Sequence, residues 1–82
     1  MELRERIYGK IVERASEIFQ KDSEYFNEAT DFSADLGAKS VNLVQIIALL
    51  EDEFDVEINF MAFRRRKTFG EAADFVAELC EE

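Results

Sequence analysis

The residue best placed to carry chemistry in this sequence is Ser40, in the segment DLGAKSVNL. Gly37 relaxes the backbone just before it, and apolar residues at helical spacing follow it, so Ser40 is predicted to stand at the start of a helix. A serine there has two possible roles, which are compatible with each other. It could cap the helix, which stabilises it by about 0.5–2 kcal/mol, or its hydroxyl could be a point of covalent attachment.

The chain contains few residues that are suited to other catalytic chemistry or to binding a metal ion. There is no histidine, which removes the usual general base near neutral pH, the usual zinc ligand and every triad that contains histidine. The acidic residues between 51 and 57 lack the alternating ligands and central glycine of a calcium loop. We therefore expect no catalytic residue and no metal site, and a protein that is not an enzyme.

Composition limits the size and the partners of the protein. Its 82 residues are expected to form one domain, residues 1–82, and its formal net charge of −9 should repel nucleic acid and anionic membrane surfaces. Its single cysteine, Cys80, is expected to be at least half-buried and unreactive, and fits a reducing compartment. No apolar run has membrane-spanning length, and the start, MELRERIYGK, does not resemble a signal peptide. We expect a cytoplasmic monomer without membrane insertion.

Hydrophobic periodicity predicts only helices. Apolar residues recur at helical spacing over about 17 residues from Leu3 and again over residues 40–54. Residues 59–67 are predicted to form one or two helical turns. A last helix covers residues 68–79, where Thr68 and Glu71 have the spacing of a capping box.

The connection over residues 20–39 loses this period and is predicted to be long but ordered. Its larger side chains could pin it onto a core: Tyr25, Phe26, Phe32 and Leu36. Loops of this length in compact domains are often functional. The pattern predicts an all-α bundle of three longer helices and one short helix, with a long loop between the first two.

The segment DLGAKSVNLVQIIALLEDEFDVEI resembles the acyl carrier protein family. Leu36 and Gly37 match the family's turn, Ser40 matches its serine, and the stretch ending in Glu57 and Ile58 matches the acidic exit of its second helix. The resemblance implies that a phosphopantetheinyl transferase attaches 4′-phosphopantetheine to Ser40. The thiol of this arm would carry acyl groups as thioesters to acyl-transferring or acyl-processing enzymes. The alternative is an unmodified helical interaction module in which Ser40 is only a helix cap.

The chain departs from the family in its charges. Lys39 replaces the usual aspartate before the serine, and Asn42 and Gln45 stand at positions that are commonly acidic. Arg64–Lys67 place four of the ten cations in one run. This run could pair with the acidic exit at residues 51–57, or it could change the choice of partners. We predict a specialised carrier that general fatty acid synthesis enzymes serve poorly.

The predicted partner surface combines these charges with an apolar stripe on the second helix. Val41, Val44 and Ala48 form a second apolar arc, which could be part of the core or could face a partner. The full set of predicted partner-binding residues is Lys39, Val41, Asn42, Val44, Gln45, Ala48, Glu51, Arg64, Arg65 and Arg66.

Overall fold

The computed structural model describes residues 2–81 and confirms the predicted order of helices. A single turn of 3₁₀-helix, Ser23–Tyr25, interrupts the long connection after the first helix. The described residues contain no β-strand, and none of their helices is both long and apolar enough to span a bilayer. The helices are α1 Leu3–Phe19, α2 Ser40–Phe54, α3 Phe60–Arg64 and α4 Phe69–Glu81.

The core lies between α1, α2 and α4, because each presents one apolar face to the others. In α1 the predicted positions Ile7, Ile11 and Ala15 are fully buried. In α2 the face that includes Ile46 and Leu50 is buried in the same way, and α4 closes the core with small residues that allow close approach. The spacing that predicted the helices therefore also predicted which faces pack.

Four phenylalanine rings join the long loop to α3 and α4. Phe69 stacks on Phe26 and on Phe32, with ring centroids 5.2 and 4.6 Å apart, and Phe63 lies 6.0 Å from Phe32. All four rings are buried, so the loop contributes to the core as predicted. Tyr25 contributes less than predicted, because it is 48% exposed and lies under the Lys21 ammonium, although its ring packs edge-on against Phe26.

The first turn of α4 is closed by hydrogen bonds to residues that precede the helix. The N–H groups of Phe69 and Gly70 donate to the loop carbonyl oxygens of Thr30 and Glu28, at 3.0 and 2.9 Å. The next two N–H groups donate to the hydroxyl and carbonyl oxygens of Thr68, at 3.2 and 3.0 Å. All four N-terminal donors of this helix are therefore paired, and the predicted cap at Thr68 is confirmed.

A charged cluster fixes the N-terminal end of α1 against the loop and α4. The Arg4 guanidinium donates to both carboxylate oxygens of Glu28, at 2.6 and 2.8 Å, and to Asp74 at 2.5 Å. It also donates to the carbonyl oxygen of Gly70 at 3.0 Å. These bonds, first to Glu28 and then to Asp74, raise the pKa of Arg4, and the Arg4 bond lowers the pKa of Glu28.

Candidate functional site

Ser40 is the first residue of α2, and its side chain is exposed. The residue at the cap position is Lys39, whose φ of −101° and ψ of 168° are those of extended backbone. Lysine has no acceptor on its side chain, and the cap is instead made by Asn42, whose Oδ1 accepts from the Lys39 N–H at 2.8 Å. The interpretation of Ser40 as a helix cap is therefore wrong, and its hydroxyl is not occupied in that role.

The N-terminus of α2 is less completely paired than that of α4. The N–H groups of Asn42 and Leu43 donate to the carbonyl oxygen of Lys39, at 2.9 and 3.2 Å. Within residues 2–81 no acceptor pairs with the N–H of Ser40 or Val41. Free N–H groups and the positive end of the helix dipole therefore lie beside the serine, an arrangement that favours an anion.

The turn before Ser40 is held by its own hydrogen bonds. Asp31 Oδ1 accepts from the N–H groups of Ser33 and Ala34, both at 2.8 Å. Gly37 has a φ of 60°, which glycine adopts without strain, and its N–H donates to the carbonyl oxygen of Ser33 at 2.9 Å. The serine is thus presented from a loop of defined conformation.

Exposed apolar side chains continue from Ser40 along α2. Val41 is 59% exposed and Val44 is 49% exposed, and Ala48 is exposed one turn further on. Val44 and Ala48 line a groove of about 490 Å³ between α1 and α2, together with Arg14. The second apolar arc of α2 is therefore a surface feature and not part of the core.

The basic run at residues 64–67 is exposed and makes no ion pair within the described residues 2–81. The acidic exit of α2 is engaged elsewhere, since Glu53 lies 3.5 Å from Lys10 and Glu51 accepts from the Ile58 N–H at 2.9 Å. The interpretation in which the run pairs with this exit is wrong. Within the run, Arg66 lies over the ring of Phe75, 4.6 Å from its centroid.

A second groove brings part of the basic run close to the start of α2. Its volume is about 480 Å³, and Arg64 and Lys67 lie on one wall. Ala38 and Leu43, which flank Ser40 in sequence, also line it. The remaining lining residues belong to the loop: Asp31, Phe32, Ser33 and Ala34.

The structure divides the predicted partner-binding residues into two groups. Asn42, Glu51 and Arg66 make contacts within the fold, with the Lys39 N–H, the Ile58 N–H and the Phe75 ring. Arg66 is nevertheless exposed, and so are the other seven: Lys39, Val41, Val44, Gln45, Ala48, Arg64 and Arg65.

One residue of this surface was not in the predicted set, because Lys67 lines the groove near Ser40. Met61 on α3 is a further exposed apolar side chain outside that set, and it is 52% exposed. The sequence could have indicated Lys67, because this residue belongs to the same basic run as Arg64. Nothing in the sequence showed on which side of so short a helix Met61 would lie.

Cys80 takes no part in this site. It is half-buried near the end of α4, as expected, and burial raises the pKa of its thiol. A raised pKa keeps the thiol protonated near neutral pH, and the protonated form is a poor nucleophile.

Comparison with known proteins gives one consistent result. The family profile described as "Phosphopantetheine attachment site" matches residues 9–76. A protein named acyl carrier protein from Lactobacillus acidophilus is 38% identical over 72 residues, which cover 88% of this chain and 90% of that protein. One of the same name from Caulobacter vibrioides is 36% identical over 72 residues, covering 83% of this chain and 92% of the relative.

Proposed function

Because this chain belongs to the acyl carrier protein family, we propose that Ser40 carries the family's 4′-phosphopantetheine arm as a phosphodiester. The terminal thiol of the arm then holds acyl groups as thioesters for transfer between enzymes. The observation that supports Ser40 most directly is that its exposed side chain stands at the first residue of α2 without serving as the cap.

The surroundings of Ser40 suit the group that would be attached there. The phosphodiester carries a negative charge, and the free N–H groups of Ser40 and Val41 lie at the positive end of α2. Lys39 adds a cation at the adjacent residue. A negative group at this end of the helix is therefore stabilised rather than repelled, in spite of the net charge of −9.

The attachment step makes this protein a substrate. An O–P bond forms between Ser40 Oγ and the pantetheine-side phosphorus of coenzyme A. The pyrophosphate bond breaks, and adenosine 3′,5′-bisphosphate leaves. The proton of the hydroxyl goes to a base on the transferase, since this chain has no histidine to accept it near neutral pH. The chain thus supplies the hydroxyl and its position, and the catalysis belongs to the other protein.

Intact-mass spectrometry tests the assignment of Ser40. Co-expression with a phosphopantetheinyl transferase of broad specificity should add the mass of one arm to the wild type and none to Ser40→Ala. Ser33→Ala is the matched control, because Ser33 is an exposed serine of the same loop and should leave modification unchanged. More than one transferase should be tried, because Lys39 replaces the usual aspartate. A Ser40→Ala protein that still gains the arm would contradict the assignment.

The exposed surface around Ser40 supports a specialised set of acyl-processing partners. Its centre is the apolar stripe of Val41, Val44 and Ala48, and its rim carries Lys39 and Arg64. Apolar centres with charged rims are typical of protein interfaces. A partner that presents basic groups would meet like charges at this rim, which lowers its rate of association. General fatty acid synthesis enzymes, which dock through basic patches, should therefore serve this carrier poorly.

Charge reversal at the rim tests this choice of partners. Lys39→Asp combined with Arg64→Glu and Arg65→Glu should increase the rate of acyl loading or elongation by general fatty acid synthesis enzymes. The increase should be largest at low ionic strength, where screening is weakest. Lys39→Asp alone and Lys21→Glu give a charge-matched comparison, because each changes the net charge by two and Lys21 lies beyond the end of α1 beside Tyr25. Equal rates for wild type and reversed protein at low salt would contradict the proposed role of the rim.

A further inference from the structure

Two cations of the basic run face the side of the molecule on which the attachment serine lies. Arg64 and Lys67 line the 480 Å³ groove that also contacts Ala38 and Leu43. Leu43 follows Ser40 by three residues in α2, a spacing at which Cβ atoms on one side of a helix are about 5–6 Å apart. Ser40 does not itself line the groove, but a group attached to its Oγ has the groove within reach.

In the part of the chain that the structure describes, no ion pair or side-chain hydrogen bond explains the position of these two cations. Neither makes an ion pair within residues 2–81, although the chain contains 19 acidic side chains. The carboxylate of this groove belongs to Asp31, and its Oδ1 already accepts two backbone N–H groups of the loop. Arg66 shows the contrast, because this neighbour in the same run is engaged with the Phe75 ring.

We infer that Arg64 and Lys67 bind the phosphodiester of the arm on Ser40, an inference that rests on the proposed function. The planar guanidinium of Arg64 can donate two parallel hydrogen bonds to phosphate oxygens, and the Lys67 ammonium adds a compact positive charge. The phosphate is tethered to the same molecule, so its effective concentration at the groove is on the order of millimolar. Contacts too weak to hold free phosphate can therefore hold the attached one.

The consequence is a defined direction for the base of the arm. With its phosphate against Arg64 and Lys67, the arm starts along the groove between the loop and α3 and not freely into solvent. These contacts join the phosphate to the C-terminal end of α3. The environments of the Arg64 and Lys67 side chains should therefore differ between the unmodified and the modified protein. The partner enzymes would then meet a different charge at the groove before and after modification.

The experiment compares the unmodified and modified protein by NMR. Attachment at Ser40 is first verified by intact mass. Proton–nitrogen spectra should then show that modification shifts the Arg64 Nε–H signal and the Lys67 amide more than the corresponding signals of Arg65 and Arg66. The phosphorus resonance of the arm should move toward that of free 4′-phosphopantetheine in Arg64→Gln and Lys67→Gln. Lys21→Gln, with the same loss of one charge in a remote position, should leave the phosphorus resonance unchanged.

The outcomes separate this inference from the proposed function. If the wild type stays unmodified with every transferase, both fail. If the arm attaches but the Arg64 and Lys67 signals do not shift, and the phosphorus resonance is the same in all variants, this inference alone is overturned. Unchanged amide positions for buried residues such as Ile46 would verify that the glutamine variants are folded.

Discussion

Replacement of Arg4 by methionine should remove a cluster that joins three parts of the fold. The Arg4 guanidinium bonds to Glu28 in the loop, to Asp74 in α4 and to the carbonyl oxygen of Gly70. Methionine keeps most of the unbranched stem and removes every donor. The change therefore tests the polar contacts with little loss of packing.

The expected loss of stability follows from the exposure of the partners. Glu28 and Asp74 are 56% and 63% exposed, so each ion pair contributes about 0–1 kcal/mol. The bond to the Gly70 carbonyl oxygen is partly buried and contributes about 1 kcal/mol. We expect a decrease of roughly 2 kcal/mol in the free energy of unfolding, which for a domain of this size lowers the thermal midpoint by roughly 8–16 °C.

Urea unfolding of Arg4→Met beside Arg14→Met provides the measurement and its control. Among residues 2–81, Arg14 pairs only with Glu17, three residues further along the same exposed helix face, and its loss should cost about 0.2–0.5 kcal/mol. Equal destabilisation in the two variants would refute the reasoning, because it would mean that the contacts of Arg4 to the loop and α4 contribute nothing beyond a surface pair.

The same cluster predicts a pH dependence with a definite sign. The pKa of Glu28 is lowered in the folded protein, mainly by its hydrogen bond to Arg4. Because the pKa of Glu28 is lower in the folded than in the unfolded protein, its ionised carboxylate stabilises the fold at pH values above the unfolded pKa of about 4.3. This contribution is lost as the pH falls through the pKa of the folded protein. The difference in the free energy of unfolding between wild type and Arg4→Met should therefore have its maximum value at pH 7 and should decrease below about pH 4.3. A constant difference down to acidic pH would contradict this assignment.

Three other substitutions have expected effects that urea or thermal unfolding can measure. Gly70→Ala should cost about 1 kcal/mol, since its methyl carbon would lie 2.5 Å from Glu28 Oε1 and 3.1 Å from the Glu28 carbonyl oxygen; wild-type stability would contradict this. Asn42→Ala should cost about 1 kcal/mol, because Oδ1 no longer accepts from the Lys39 N–H; a neutral result would mean that solvent replaces the cap. Phe32→Ala should cost about 3–5 kcal/mol by removing a buried stacked ring, and a loss below 1 kcal/mol would show that the loop is not held by its rings.

The helices could be predicted from the sequence because their signals are local. Apolar spacing marks α2 from residue 40 to residue 54, and the Thr68 hydroxyl marks the start of α4. The predicted end of α2 at residue 54 is correct, although no glycine marks it. Asp55 takes the left-handed conformation there, with a φ of 53°, a position at which glycine is the usual residue.

The details of the site were harder to predict because they depend on tertiary contacts. Serine is so common at helix caps that Ser40 was a reasonable candidate, but the cap is made by Asn42 from inside the helix. Long basic side chains have many conformations, so the sequence could not show that Arg66 packs on Phe75 while Lys67 lines a groove. What the sequence could predict was that cations accumulate near the serine.

The hydrogen bonds between the long loop and the start of α4 determine how these segments can open. Glu28 and Thr30 accept the first N–H groups of α4, and the Phe32 N–H donates to the Lys67 carbonyl oxygen at 3.0 Å. Segments linked in this way open as one cooperative unit, so their amide hydrogens should exchange with solvent together. We therefore expect residues 28–32 of the loop to stay in place while α4 is docked. Under the proposed function, the serine would then be displayed for as long as the protein is folded, and the timing of its modification would be set by the enzymes that approach it.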